Sequence, residues 1–484
     1  MKRRIALLLT IVLLVAVGAL LLTGCSWSIF DLFRGKKYEG FYYRVVDGQV
    51  TITDYSCENQ HVVIPETIEG MPVVEIETRV FFMDDDIVSI TFPDSNIVVE
   101  WENLCYCASL QTVVLGENTQ IGSDIIGFDC ESFVYNQYGN GLYVGTATNP
   151  YHMLVLPVNQ QIQDISIHTD TKVVGYAALS RCKELVTIDF PVGVTTIGNS
   201  VTDACEKLEY MSIPASVTSI GYGLFSGCHA LSNVELSPEN EHYKLEGNAL
   251  YTKDGTTLVE YYTPQQSTVF TAPNSVKEIA DFAFVDIKNL EEVVLPDNVE
   301  TLGLAVFREC HDLKKVTLGK NIKIVEEWTF EECRSLVEVE MPSVEEIRQL
   351  AFSRCESLQH VGWSDNLRVI ELQTFFVCPS LTEVVIPDGV TSLEYQVFYK
   401  CTSLKTVVLG SGLRYICETA FTECPALESV TFVDPTGWRE HTGWFSSSKK
   451  DMSDPQANAE FFRTYNGYYS GSWLTKKKTV FTIN

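Results

Sequence analysis

The chain has 484 residues, 45% of them hydrophobic, which supports a continuous apolar core and excludes a disordered chain. Lys and Arg number 35 against 63 Asp and Glu, giving a net charge of −28. Such a surface repels nucleic-acid phosphates and anionic headgroups and favours neutral or cationic partners.

The start, MKRRIALLLTIVLLVAVGALLLTGC, sets a basic stretch before an apolar run from Ile5 to Leu22 and then small residues, the layout of a secretory signal over 1–24. The apolar run is also close to the length of an uncleaved bilayer anchor. Leu22-Thr23-Gly24-Cys25 resembles a bacterial lipobox. That resemblance implies cleavage before Cys25 and lipidation of its sulfur, which would make the membrane a partner through the lipid anchor. A short tether spans 25–37. FYYRVVDGQVTITDY then reads as a hairpin turning at Asp47-Gly48, and 38–72 is expected to form an N-terminal β cap over the raw end of the next segment.

From 73 to 432 one phrase returns every 22 or 23 residues, carrying cysteines at 107, 130, 182, 205, 228, 310, 333, 355, 378, 401 and 424. Asp84 and Ile287 stand in the same register, which makes 13 rungs. The unit, Phe-x-x-Cys-x-x-Leu-x-x-Val-x-Ile/Leu-Pro, has room for a short strand, a second extended segment and about one helical turn, but not for a full helix with two loops. It predicts a right-handed solenoid with a parallel β-sheet on one face and short turns or extended segments on the other. AFSRCESLQHV, VFYKCTSLKTVVLG and LFSGCHALSNVELS resemble BspA-type leucine-rich repeats of bacterial surface proteins. The resemblance implies a β-rich leucine-rich repeat solenoid of the α/β horseshoe class. Gly127 and Thr202 depart from it by standing where Phe is usual.

In a parallel stack equivalent residues lie about 4.8 Å apart, but their side chains point the same way, whereas a disulfide needs converging Cβ vectors. Buried, unreactive thiols, each able to offer a weak S–H donor to a turn carbonyl, are therefore expected over disulfides, redox chemistry or metal binding. The off-ladder cysteines, Cys25, Cys57, Cys105 and Cys417, make no pair at zinc spacing, and no metal or other cofactor is expected.

Two inserts, near 131–159 and 237–272, carry the similar texts GNGLYVGTATNPYHMLVL and GNALYTKDGTTLVEYY. Lys253-Asp254-Gly255 in the second signals a hairpin, and both inserts are read as hairpins packed beside neighbouring rungs. After Phe432 the period stops. Residues 433–484, with Trp438, Trp444, Tyr465, Tyr468, Tyr469 and Trp473, are read as a C-terminal cap, an aromatic binding patch being the competing reading; Lys476-Lys477-Lys478 is read as solvated.

No nucleophile elbow, zincin motif or phosphate-binding loop is present, so no catalytic residue is assigned and an enzyme is not expected. Two residues after each repeat Leu the side chain should face outward, which makes Glu292, Lys315, Glu338, His360 and Glu383 a candidate binding row. A plain ladder of cross-strand charge pairs is the alternative. The next outward positions, Val294, Thr317, Glu340, Gly362 and Val385, supply no aromatic anchor. The expected function is that of an exported protein, lipid-anchored at the bacterial cell surface, whose solenoid is a protein-binding or adhesion module. The family resemblance implies an extracellular partner, a protein of host matrix or of another microbial surface, with a glycan ranked second. An accessory envelope protein without an external ligand is the next reading, and a secreted hydrolase accessory or enzyme the last.

Overall fold

The computed structural model describes residues 36–56, 59–99, 103–104, 106–121, 130, 132–262, 268–417, 419–442, 447–464 and 472–476. The signal segment, Cys25 and all but the end of the tether lie outside the described residues, as do Cys57, Cys105, Gly127, Trp444, Tyr465, Tyr468, Tyr469, Lys477 and Lys478. Among those described, the chain forms two compact units: one of the residues up to Asn136 with Tyr143–His152, the other of Gln137–Leu142 with Met153 onward.

In the first unit the Asp47-Gly48 turn joins strands Phe41–Val46 and Gln49–Tyr55, with both turn residues at positive φ as a tight hairpin requires. Gln49–Tyr55 then pairs in parallel with Met71–Ile76, which continues to Val98–Val99 and Gln120–Ile121. The antiparallel hairpin thus passes directly into the parallel stack. A second row joins His61–Val63, Ser89–Thr91 and Thr112–Leu115.

In the second unit the rungs carry a longer and a shorter strand, and within each sheet a strand's neighbours are the same strands of the adjacent rungs. The longer strands form three sheets: Thr187–Asp189 to Asn233–Leu236, Val269–Thr271 to His360–Gly362, and Glu383–Ile386 to Ser429–Phe432. The shorter strands, such as Ile324–Val325, Glu346–Ile347 and Val369–Ile370, are only two or three residues long and also run parallel. Residues 237–272 hold the antiparallel strands Tyr243–Glu246, Ala249–Thr252 and Thr257–Tyr261, the last pair turning at Gly255.

The segment before each cysteine forms a third hydrogen-bonded ladder. The backbone N–H of Phe307 donates to Thr329 of the next rung at 2.8 Å, that of Ala305 to Glu327 at 2.9 Å, and that of Glu309 to Glu331 at 2.8 Å. To aim these N–H groups along the stack, the residues five and one before the cysteine adopt left-handed backbone: Ala305 and Glu309, Trp328 and Glu332, Leu350 and Arg354, Gln373 and Val377 all have φ between 51° and 62°. Left-handed backbone costs about 1–2 kcal/mol per non-glycine residue, and the inter-rung bonds offset that cost.

Inside, Phe307, Phe330, Phe352, Phe375, Phe398 and Phe421 stack with centroids 5.0–5.5 Å apart and planes within 20°. This is the offset-stacked range of aromatic pairs. The ladder cysteines line up beside them as buried thiols that form no disulfide. In ten of the eleven ladder rungs the Sγ donates to the carbonyl of the previous rung, in most cases that of its Phe, at 2.8–3.3 Å. Burial pushes the Cys378 and Cys424 thiols up to about 12, so the reactive thiolate is scarcely populated at neutral pH. Cysteine suits this corner because it is small and apolar and the corner carbonyl takes its weak donor. Thr202, in a Phe position, is fully buried and satisfies its hydroxyl on the Leu224 carbonyl.

Beyond Phe432 a helix, Pro455–Thr464, lies against the last long strand. Phe462 packs edge-on to Phe421 at 5.1 Å, and the Asn458 amide donates to Val430 O at 2.9 Å. Trp438 is buried against Phe432. Lys476 corrects the solvated reading of the basic run: its side chain is largely covered, pairs with Asp434 and holds that carboxyl well below its usual range. No described helix is long and apolar enough to cross a membrane.

Candidate functional site

The outward row is built by strand alternation. In Glu292–Val294, Lys315–Thr317 and Glu338–Glu340 the central valines, Val293, Val316 and Val339, are buried and the flanking residues face out. Register places Glu292 opposite Lys315, Lys315 opposite Glu338, and Glu338 opposite His360. Four of the five candidates therefore form one continuous row on the Val269–Thr271 to His360–Gly362 sheet.

Glu383 is separated from that row. Its strand, Glu383–Ile386, pairs only with the following rung, and Glu383 stands in register with Thr406 and Ser429. The break falls at Gly362-Trp363. Where other rungs turn a Leu, Ile or Met inward, as at Leu318, Met341 and Ile386, this one inserts Trp363, whose ring packs edge-on to Phe375 at 5.5 Å. The indole is too large for the aliphatic slot. The chain kinks there, with Trp363 N bonding back to Val361 O at 3.1 Å. A tryptophan in the repeat's Ile/Leu column was the readable sign of this break.

Within the row, Lys315 Nζ lies 2.9 Å from Glu338 and 3.4 Å from Glu340. The bond to Glu338 holds the ammonium above the usual lysine value. The pairing fixes the position of these side chains while leaving carboxylate lone pairs open to solvent. Glu292 and His360 continue the row on either side of the paired Lys315 and Glu338. Among the described residues no group of three or more His, Cys, Asp or Glu is placed to hold a metal ion.

A second opening lies where the insert separates strand Asn233–Leu236 from Val269–Thr271. It is an open groove of about 800 Å³ that includes Ile213, Leu236, Tyr243, Lys244 and Lys253. Composition gave no sign of it, because it arises from the missing strand contact and not from any motif.

The model of the BspA type leucine rich repeat region matches residues 52–134, 158–269, 260–370 and 330–442, which is most of the chain. The chain belongs to the BspA-type leucine-rich repeat family. A surface or protein-binding role fits that family. The chain is similar to a leucine rich cell surface protein from Faecalibacterium prausnitzii, at 22% identity over 83% of this chain and 95% of that one, with a TM-score of 0.39. A leucine-rich repeat protein from Bacteroides ovatus matches at 22% identity over 82% and 94%, and one from Eubacterium ventriosum at 20% over 71% and 88%, both with TM-scores of 0.39. No curated protein matches.

Proposed function

We propose that this chain is a membrane-anchored cell-surface lipoprotein, held by a lipid on Cys25, whose solenoid binds a protein partner outside the cell through the Glu292–Lys315–Glu338–His360 row. The observation that supports this most is the Lys315 clamp. Two carboxylates on the neighbouring strand hold one cation on an outward sheet face whose inward valines, Val293, Val316 and Val339, are packed in the core, so the charge is positioned before a partner arrives. Preorganised charge of this kind contributes to specificity and association rate more than to raw affinity. The lipobox text and the acidic net charge agree with exposure outside the cell.

The test uses the full chain at the cell surface. Metabolic labelling with a fatty-acid analogue is expected to mark the wild type and to fail on Cys25→Ala. Partners captured from matrix or bacterial-surface extracts are then purified and titrated. Charge reversal by Lys315→Glu is expected to weaken the cognate partner about tenfold or more with the fold intact. A captured protein that binds the variant equally well removes the row from the proposal, and an unlabelled wild type removes the anchor.

A further inference from the structure

Behind the sheet, on the face formed by the segments before each cysteine, one stretch differs from the rest. Elsewhere the two left-handed positions of a rung carry side chains, as in Trp328 and Glu332 or Gln396 and Lys400. In the Cys228 rung both are glycine, Gly223 and Gly227. At 227 a Cβ would lie 2.9 Å from the Ala204 Cα and 3.0 Å from its nitrogen, and glycine takes the φ of 64° without the cost that other rungs bear. The preceding rung carries only Ser200 and Ala204 at these positions. The missing side chains leave a cavity of about 500 Å³, floored by Ser200, Ala204, Gly223 and Ser226, within the size range of small-ligand sites.

Its walls combine a flat apolar surface with paired charge. On one side Tyr222 stacks on Phe282, with centroids 4.5 Å apart and planes at 21°. Tyr222 remains 36% exposed and Tyr176 beside it 38%. On the other side Asp286 is paired with His229 at 3.0 Å and Lys288 at 3.2 Å, while Glu309 shares Arg308, at 3.4 Å, with Glu331, which lies 2.8 Å from it. Asp203 lines the cavity and accepts from the hydroxyls of Ser180 at 3.3 Å and Ser226 at 3.0 Å, which leaves its carboxylate with further acceptor capacity. Arg181 makes no ion pair among the described residues and brings its guanidinium donors to the same cavity.

We infer that this cavity binds a neutral oligosaccharide. A pyranose ring presents a C–H face suited to an aromatic platform and a rim of hydroxyls that both donate and accept. Asp203 and Ser226 accept from such hydroxyls, and Arg181 donates to them. The lining sets two cations, Arg181 and Arg308, against three carboxylates, Asp203, Asp286 and Glu309, which disfavours an anionic ligand and leaves too small an excess to hold a strongly cationic one. The site lies on a different face from the proposed protein-binding row and stands independently of it.

The test presents the full chain, solubilised in detergent, to immobilised neutral gluco-, galacto- and manno-oligosaccharides, to sialylated and uronate-bearing ones, and to a peptide library. The neutral class giving signal is then titrated by calorimetry. Binding to a neutral class is expected, weakened about tenfold or more by Tyr222→Ala. Ser200→Gln, which introduces the residue found at Gln373 and Gln396 in the same backbone conformation, is expected to block the cavity to a similar degree with the unfolding midpoint unchanged. The inference is overturned by an absence of neutral-glycan binding, by binding that survives Ser200→Gln, or by preference for acidic glycans or peptides lost in the same variants.

Discussion

The run of rungs from Cys310 to Cys424 and the interrupted stretch around Cys228 are built from the same unit, yet they solve the same hydrogen-bonding requirement differently. In the regular run each turn's N–H groups donate to the next turn's carbonyls. After Cys228 the insert intervenes, and a side chain substitutes for that backbone. The Glu260 carboxylate, fully buried, accepts the N–H of Leu224 at 3.2 Å and also meets those of Gly223 and Phe225. The chain then resumes, with Tyr261 N donating to Ala283 O at 2.8 Å. The regular run closes its own outer surface, whereas the interruption leaves glycines and a cavity. In a solenoid, function is most readily accommodated where the repeat is spliced, because a buried substitute there can satisfy the stack.

The largest expected effect breaks the regular run at its centre. Phe375 is fully buried, stacks on Phe352 and Phe398 and meets Trp363 edge-on, so Phe375→Ala removes three ring contacts and opens a cavity that the neighbouring rungs cannot close. A loss of about 3–5 kcal/mol is expected in urea unfolding, with Trp363, which touches the same ring, reporting it by fluorescence. A loss under about 1 kcal/mol would mean that the stack is not the core it resembles.

A smaller, pH-dependent effect is expected at the splice. Burial pushes Glu260 well above the usual carboxylate range, against the pull of its backbone donors. Its folded value thus exceeds its unfolded one. Its contribution is fully present below the unfolded carboxyl value of about 4.3 and is lost as pH rises through the folded value. Glu260→Gln keeps an acceptor but removes the ionisation. The difference in urea midpoint between about pH 5 and pH 8 is expected to shrink in the variant. Equal pH dependence in both proteins would show that Glu260 does not titrate differently on folding.

The stack was legible in the sequence because its determinants are inward side chains repeated at one interval: Phe307, Cys310, Leu313 and Val316 recur in chemistry and in burial. The substituted rungs were legible for the same reason, Ile287 taking the thiol's place in the core. The left-handed turns were not legible, because Glu309, Arg354, Val377 and Lys400 share no side-chain property and are held there by backbone bonds to the next rung. Glu260 looked like one acidic residue among 63, and only the hairpin brings it beneath the Cys228 turn. Of the candidate row, alternation placed Glu292, Lys315, Glu338 and His360 together. The assumption of an unbroken sheet misplaced Glu383, because the pairing stops at the rung where Trp363 stands in the repeat's Ile/Leu column.

The smallest effect tests why glycine occupies the left-handed positions at the splice but not in the regular run. Val377 has φ 60°, a conformation in which a β-branched side chain crowds its own backbone, and its N–H donates to Tyr399 O at 2.7 Å. Val377→Gly relieves about 1–2 kcal/mol of strain and keeps that bond. It also loosens the unfolded chain by about 0.5–1 kcal/mol and forfeits the contacts of a half-buried side chain. The terms nearly cancel, and a net gain below about 1 kcal/mol is expected in urea unfolding. A clear loss would mean that side-chain packing across the outer turns holds the regular run together, and that the glycines at 223 and 227 weaken the stack in order to open the cavity. A gain would mean that the regular run tolerates strain its backbone bonds already offset, and that glycine at the splice costs the stack little.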